Sequence, residues 1–353
     1  MEKGRCFSKQ NINKAIRRNE SFMIDFDGKK VLVTGGAGFI GSHLVDELLQ
    51  RNADVRVVDD LSRGKISNIE HCKDSIEFIK GDLMNAKTAE AAVRDVNMCF
   101  HLAAIVGGVD FMTSHPAEIF KSVTINNNII DACRKMDVDR LLFTSSACTY
   151  PVDRQTAEEQ PPLKEEEVLE HGAKPDSDYG WTKLIGEIQC QAYHRSYGMK
   201  ISIVRPFNPY GPRESFDPKD SHVIPSLMRR AVRRENPFIV WGDGTQARAF
   251  EYVGDLAEGI VLAIGAKVDA DPINLGSSNP VTIREIAELV LQVTGYNASI
   301  VWDTNKPQGV KSRKADMSKA RNVLGWKPRT PLKEGLMQTL NWYLKLSMDN
   351  SIT

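Results

Sequence analysis

The chain is expected to fold as an α/β protein, a Rossmann-type doubly wound parallel sheet with a smaller C-terminal substrate-binding lobe. Three observations predict it. Seven short runs rich in β-branched residues alternate with helical patterns, a glycine-rich turn follows the first run directly, and two aspartates close the second. The strands are expected at 31–34, 55–58, 76–79, 98–102, 141–145, 201–204 and 272–275. Between the first two, residues 39–50 place Ile40, Leu44 and Leu48 on one stripe, as a crossover helix requires. Residues 126–134 and 181–194 carry similar stripes.

After Arg205 the texture changes. Pro206, Pro209, Pro212, Pro218 and Pro225, broken by Gly211 and charged residues, predict loops facing a substrate. Two further helical patterns, 283–293 and 332–346, flank a basic loop holding Lys306, Lys311, Arg313 and Lys314. The expected organisation is an extension over 1–27, a cofactor-binding domain over 28–205 with a return segment at about 250–280, a lobe from 206–249 and 281–346, and a tail over 347–353.

Lys and Arg together number 46, as do Asp and Glu, so no bulk field favours nucleic acid or an anionic membrane. A small-molecule partner is expected. The six cysteines are scattered without a CxxC or paired ligand spacing, which predicts a reduced, cytoplasmic protein and no metal. No apolar run reaches the roughly 18 residues a membrane span needs.

The turn Thr34–Gly41 joins a strand to a helix, the context in which such glycines bind a dinucleotide. Gly35 and Gly38 allow the tight turn and close approach, and Gly41 lets helix and strand pack. Free N–H groups at the helix start, where Phe39 and Ile40 lie, suit a pyrophosphate. Asp59 and Asp60 stand where a carboxylate accepts the ribose hydroxyls and repels a 2′-phosphate, so NAD is favoured over NADP. Arg63 nearby keeps NADP open. Asp82 is a candidate adenine contact or, equally, a turn former.

Tyr179 and Lys183 lie one helical turn apart, downstream of Ser145 and Ser146 at a strand end. An ammonium ~4 Å from a phenol is expected to lower its pKa by roughly 3 units before desolvation opposes it. Tyr179 would then take an alcohol proton, Ser146 would bond the developing oxyanion, and Lys183 would hold the nicotinamide ribose.

These segments, with the motifs TGGAGFIG, DDLSRG, HLAA, TSSACTYP, YGWTK and LGW, resemble the extended short-chain dehydrogenase/reductase family, specifically its nucleotide-sugar epimerases, dehydratases and reductases. The resemblance runs from about Lys29 to Leu346. It implies that Ser62, Leu83, Leu102, Ala103, Ala104 and Phe207 also border the cofactor, and that a homodimer forms through helices near 117–135 and 183–197. The stretch Ala103–Gly108, and Cys148 with His222 in Ser-His-Val-Ile-Pro, are similar to GDP-fucose synthase and, more loosely, to GDP-mannose 3,5-epimerase. That similarity implies that Cys148 and His222 are an acid/base pair at sugar C3 and C5. A thiol and an imidazole that titrate near working pH suit that role. The resemblance further assigns Gly107, Gly108, Ser145, Ser146, Asn208, His222, Val223, Arg248 and Arg313 to the nucleotide sugar, with Lys311 competing for the place of Arg313.

The expected function is NAD-dependent epimerisation of a GDP-hexose at C3 and/or C5 after transient oxidation at C4. A UDP-sugar 4-epimerase is the nearest alternative, then a 4-keto-sugar reductase, then a non-catalytic NAD sensor.

Overall fold

The computed structural model describes residues 24–306 and 309–348; the expectations for residues 1–23 and for the tail beyond 348 lie outside them. Seven strands form one sheet: β1 (Lys30–Thr34), β2 (Asp54–Asp59), β3 (Ile76–Lys80), β4 (Met98–His101), β5 (Arg140–Thr144), β6 (Ile201–Pro206) and β7 (Ile273–Leu275). Their order is β7-β6-β5-β4-β1-β2-β3, and every pairing is parallel. The alternation of side chains along each strand feeds two cores. Val31, Val33, Val55, Val57 and Leu142 join one, and Leu32, Val58, Leu141, Phe143 and Ile203 join the other. A sheet apolar on both faces needs helices on both.

Those helices are α1 (Phe39–Leu49), α2 (Ala86–Val93), α3 (Pro116–Lys135), α4 (Asp178–Tyr197) and α6 (Val253–Ile264), while α5 (Val223–Val232), α7 (Ile283–Thr294) and α8 (Leu332–Met348) belong to the lobe. Leu44 and Leu48 of α1 and Ile260 of α6 enter the first core; Ile125 and Ile129 of α3 and Cys190 of α4 enter the second. Helices α3 and α4 begin earlier than the apolar stripes alone suggest. Pro116 occupies the first turn of α3, and the Ser177 side chain caps α4 by accepting from Gly180 N.

The return segment rejoins the sheet as α6 and β7. The lobe has its own core of Tyr210, Leu227, Met228, Phe238, Val240, Ile286, Val290, Leu336 and Tyr343. The lobe segment after Arg205 is more ordered than loop chemistry predicts, since α5 begins within the proline-rich stretch and the strand Phe238–Trp241 follows it. Ala247–Arg248 is paired on one side with Val281–Thr282 and on the other with Ser312–Arg313. Among the described residues no helix is long and apolar enough to cross a membrane.

Because β1 sits between β2 and β4, the chain reverses direction across the sheet there. The crevice beyond the C-terminal ends of β1 and β4 is where such folds bind ligands.

Candidate active site

At the end of β1 the glycines are required by geometry. Gly35 has φ +70°, and a Cβ there would lie 3.0 Å from Ala103 N; a Cβ on Gly41 would lie 2.1 Å from Gly35 O. Helix α1 therefore starts against the strand turn, and no side chain caps it at Gly38. Helix N-termini left without a side-chain cap offer N–H groups that suit a pyrophosphate. Asp59, 7% exposed, accepts from Ala37 N at 3.1 Å and Leu61 N at 2.9 Å. Burial raises its pKa, opposed by those two bonds, and each oxygen keeps a lone pair for a ribose hydroxyl. The cradle fits a dinucleotide, with Asp59 as its acidic member.

Other expected cofactor residues also take part in local bonds. Asp60 closes a turn by accepting from Ser62 N at 2.8 Å and Ser62 Oγ at 2.6 Å. Arg63 pairs with Asp220 at 2.9 Å. Asp82 accepts from Met84 N at 2.8 Å, the turn-forming alternative. Leu83 is buried, and Phe207 has its ring sealed in the core against Tyr150, so that side chain does not border the crevice. Leu102 N and Ala103 N both donate to Thr34 Oγ1 at 3.1 Å, which fixes the loop that continues through Ala104.

Thr34 Oγ1 also lies 2.7 Å from His101 Nδ1, and His101 Nε2 lies 3.1 Å from Asn126 Oδ1. With its oxygen occupied as acceptor, the threonine hydroxyl donates to Nδ1, leaving Nε2–H to donate to Asn126. Burial, with the nearby Lys183 charge, lowers His101 to about 3, so it stays neutral. Sequence reasoning named the residues around His101 and missed it; its place in a buried strand end was the available signal.

The reaction group assembles where β5 ends. Ser146 caps a short turn, Ala147–Thr149, by accepting from Cys148 N at 3.1 Å, and α4, which carries Tyr179, packs against that turn. Helix α4 reaches this turn because of Gly180: a Cβ there would lie 2.2 Å from Cys148 O. Asp176 N donates to the same carbonyl at 3.1 Å. Lys183 Nζ donates to Thr144 O at 2.7 Å and stands 5.6 Å from the Tyr179 ring centroid. Gly180 lies within the YGWTK motif, and its role shows only in this contact.

Two electrostatic expectations are corrected. The Tyr179 phenol is pushed up, not down, chiefly by burial and then by the nearby Cys148. Burial outweighs the ammonium because Lys183, itself lowered to about 8 by burial, is bonded to a carbonyl and not to the phenol. The Cys148 thiol is likewise raised, by burial and by Asp176, against the opposing Arg313, so it rests protonated. Of the described cysteines, Cys148 alone is not fully buried.

Ser145 is also corrected. It is 2% exposed and donates to Glu187, within a buried network in which Arg205 pairs with Glu187 at 2.7 Å and with Tyr150 Oη at 3.2 Å. Alternation at the strand end sends Ser145 to the α4 face while Ser146 faces the crevice.

On the lobe side, Arg313 and Arg248 are register partners on adjacent strands. Arg313 is mostly committed: it pairs with Asp176, donates to Gln155 Oε1 at 2.6 Å, and its Nη1 lies 3.7 Å from Cys148 Sγ. Half-buried Arg248 is lowered to about 10, by burial first and by Arg313 second. An anion between these guanidiniums would relieve both causes. Lys311 pairs with Glu158 at 3.0 Å and donates to Thr245 Oγ1 at 2.6 Å. Asn208, at φ +39°, donates to Ala249 O at 3.1 Å. Gly108 packs under the lobe, where a Cβ would lie 2.6 Å from Lys219 O, and a Cβ on Gly107 would strike the Phe111 side chain. His222 is exposed and precedes α5, which starts at Val223, without a side-chain capping bond; its Nδ1 bonds Glu214 Oε1 at 2.7 Å and none of the Ser146 group.

A glycine cradle with an acidic ribose acceptor, above a Ser–Tyr–Lys group, defines an enzyme that uses NAD on an alcohol carbon. The model of the NAD dependent epimerase/dehydratase family matches residues 31–276. The chain belongs to that family, whose members near it act on nucleotide sugars. It is 38% identical over 249 residues to GDP-L-fucose synthase 1 of Arabidopsis thaliana, covering 69% of this chain and 75% of the relative. Among solved structures it is similar to UDP-glucose 4-epimerase with UDP-glucose from Thermotoga maritima (TM-score 0.82, 29% identity, 90% of this chain and 99% of the other). It is also similar to UDP-glucuronic acid 4-epimerase from Bacillus cereus in complex with UDP-glucuronic acid and NAD (TM-score 0.79, 28% identity, 90% and 99%).

Proposed function

We propose that the protein epimerises a GDP-hexose at C3 and/or C5. NAD, when bound, supplies the reversible oxidation at C4. The observation that carries this reading is the position of Cys148: half-buried, two residues past Ser146, with its sulfur 3.7 Å from Arg313 Nη1. A simple 4-epimerase needs no thiol there.

In this reading Ser146 and Tyr179 hold the C4 oxygen from one side. With C4 a ketone, a C3 or C5 proton leaves to a base and its electron pair moves onto that oxygen as an enolate; a proton delivered from the opposite face restores C–H with inverted configuration. Cys148, resting as a thiol, is the donor, and His222 the acceptor. Arg248, with Arg313, takes the diphosphate. The likeness to a GDP-L-fucose synthase supports the guanine nucleotide. A homodimer is part of the proposal, supported by Phe120 on α3 and Trp181, Ile188 and Tyr197 on α4, all 40% exposed or more. A monomeric mass by light scattering would remove that part.

The test is incubation with GDP-mannose in deuterium oxide, followed by mass spectrometry and NMR of the sugar. Deuterium is expected at C3 or C5, and Cys148→Ala should slow its entry by about 100-fold while leaving NAD binding intact. Turnover of UDP-hexoses with no label at either carbon would overturn the reading in favour of a 4-epimerase.

A further inference from the structure

We infer that Glu214 is a positioning residue for His222, holding the imidazole by Nδ1 so that Nε2 is the atom offered to substrate. This rests on the acid/base role given to His222 above.

Glu214 has the environment of a carboxylate kept for one partner. Its side chain is 4% exposed, its Oε1 lies 2.7 Å from His222 Nδ1, and its Oε2 is buried without a hydrogen-bond partner among the described residues. A carboxylate so enclosed is costly to ionise, and packing alone would be served by an uncharged residue. The imidazole, in contrast, is 64% exposed. A carboxylate on Nδ1–H fixes both ring orientation and tautomer, leaving the opposite nitrogen to exchange a proton.

The loop that carries the pair is tied to the cofactor half at both ends. His43 Nε2 lies 2.9 Å from Pro212 O, Arg213 pairs with Asp46 at 2.7 Å, and Asp220 pairs with Arg63 at 2.9 Å. Glu214 and His222 thus belong to a segment anchored to the domain that binds NAD. Partial loss of water around the ring opposes the imidazolium, as does Arg63, while the Glu214 carboxylate bonded to Nδ1 and Asp220 favour it, and the net direction is upward from 6.5.

The test measures the His222 titration in the full-length protein by exchange of its ring C2 hydrogen, without substrate, in wild type, Glu214→Gln and Glu214→Asp. The wild-type midpoint is expected above 6.5. Glu214→Gln should lower it by about one pH unit or more, and Glu214→Asp should keep most of the elevation. The His222 limb of the kcat/KM profile should move by the same interval with KM little changed. A wild-type midpoint at or below 6.5, or an unmoved midpoint in folded Glu214→Gln, overturns the inference. Should Glu214→Gln not fold, the wild-type midpoint and Glu214→Asp still decide. A shifted titration without deuterium entry at C3 or C5 supports the Glu214–His222 pair and refutes only the epimerase reading.

Discussion

Replacing Lys183 by Met separates the energetic cost of this lysine from its service to the cofactor. The ammonium is 3% exposed, and burial moves it from 10.5 to about 8. Below about 8 both folded and unfolded chains hold the proton, and the folded state carries the full desolvation cost. Between about 8 and 10.5 the unfolded chain keeps a proton that the folded chain has released, so stability rises with pH. A gap of about 2.5 pH units, at about 1.4 kcal/mol per unit, is worth about 3.5 kcal/mol. Buried thiols and phenols with raised values titrate in the opposite sense above their ordinary range, and they are common to both proteins. The informative quantity is therefore wild-type stability minus that of Lys183→Met, by urea unfolding at about pH 7.5 and about pH 10. That difference should rise by about 2–3 kcal/mol in favour of wild type. A difference constant within about 0.5 kcal/mol refutes the buried-ammonium argument. NAD affinity supplies the functional counterpart: it should weaken in wild type as pH passes about 8, and be weak and flat with pH in the variant.

Gly41→Ala sets a Cβ 2.1 Å from Gly35 O, main chain against main chain, so α1 must withdraw from the turn. NAD binding by calorimetry should weaken about 100-fold, about 2.7 kcal/mol, with the far-ultraviolet dichroism of wild type; a Kd within about threefold of wild type refutes it. Glu187→Gln keeps the shape of a side chain 2% exposed and removes the charge opposite Arg205, 3% exposed. Unfolding in urea should show a loss of about 3–5 kcal/mol, and a loss under about 1 kcal/mol would mean the pair is not what holds β5, β6 and α4 together.

The part of the site legible in the sequence is the part that depends on local periodicity. A strand–glycine turn–helix places Gly35, Gly38 and Gly41 wherever it folds, and a spacing of four puts Tyr179 and Lys183 on one helical face. Ser146 and Cys148 follow from where β5 must end. What misled was polarity without surroundings. Asp60, Asp82 and Arg63 have the right chemistry for a cofactor, yet chemistry alone did not show that each also closes a turn or pairs with Asp220. Ser145 and Ser146 are identical in type and adjacent, and strand alternation alone separates a core hydrogen bond to Glu187 from a place in the crevice. Glu214 carried no local signal, since its partner stands eight residues away across an irregular loop.

By itself the sequence determined the sheet, the dinucleotide cradle and the family, because hydrophobic period and glycine spacing act over a few residues and survive any packing. The tertiary structure alone decided the protonation states of Tyr179, Cys148 and Lys183, the commitment of Arg313 to Asp176, and the pairing of Glu214 with His222. Those depend on desolvation and on charges brought together from distant segments, quantities that exist only once the chain has closed around them.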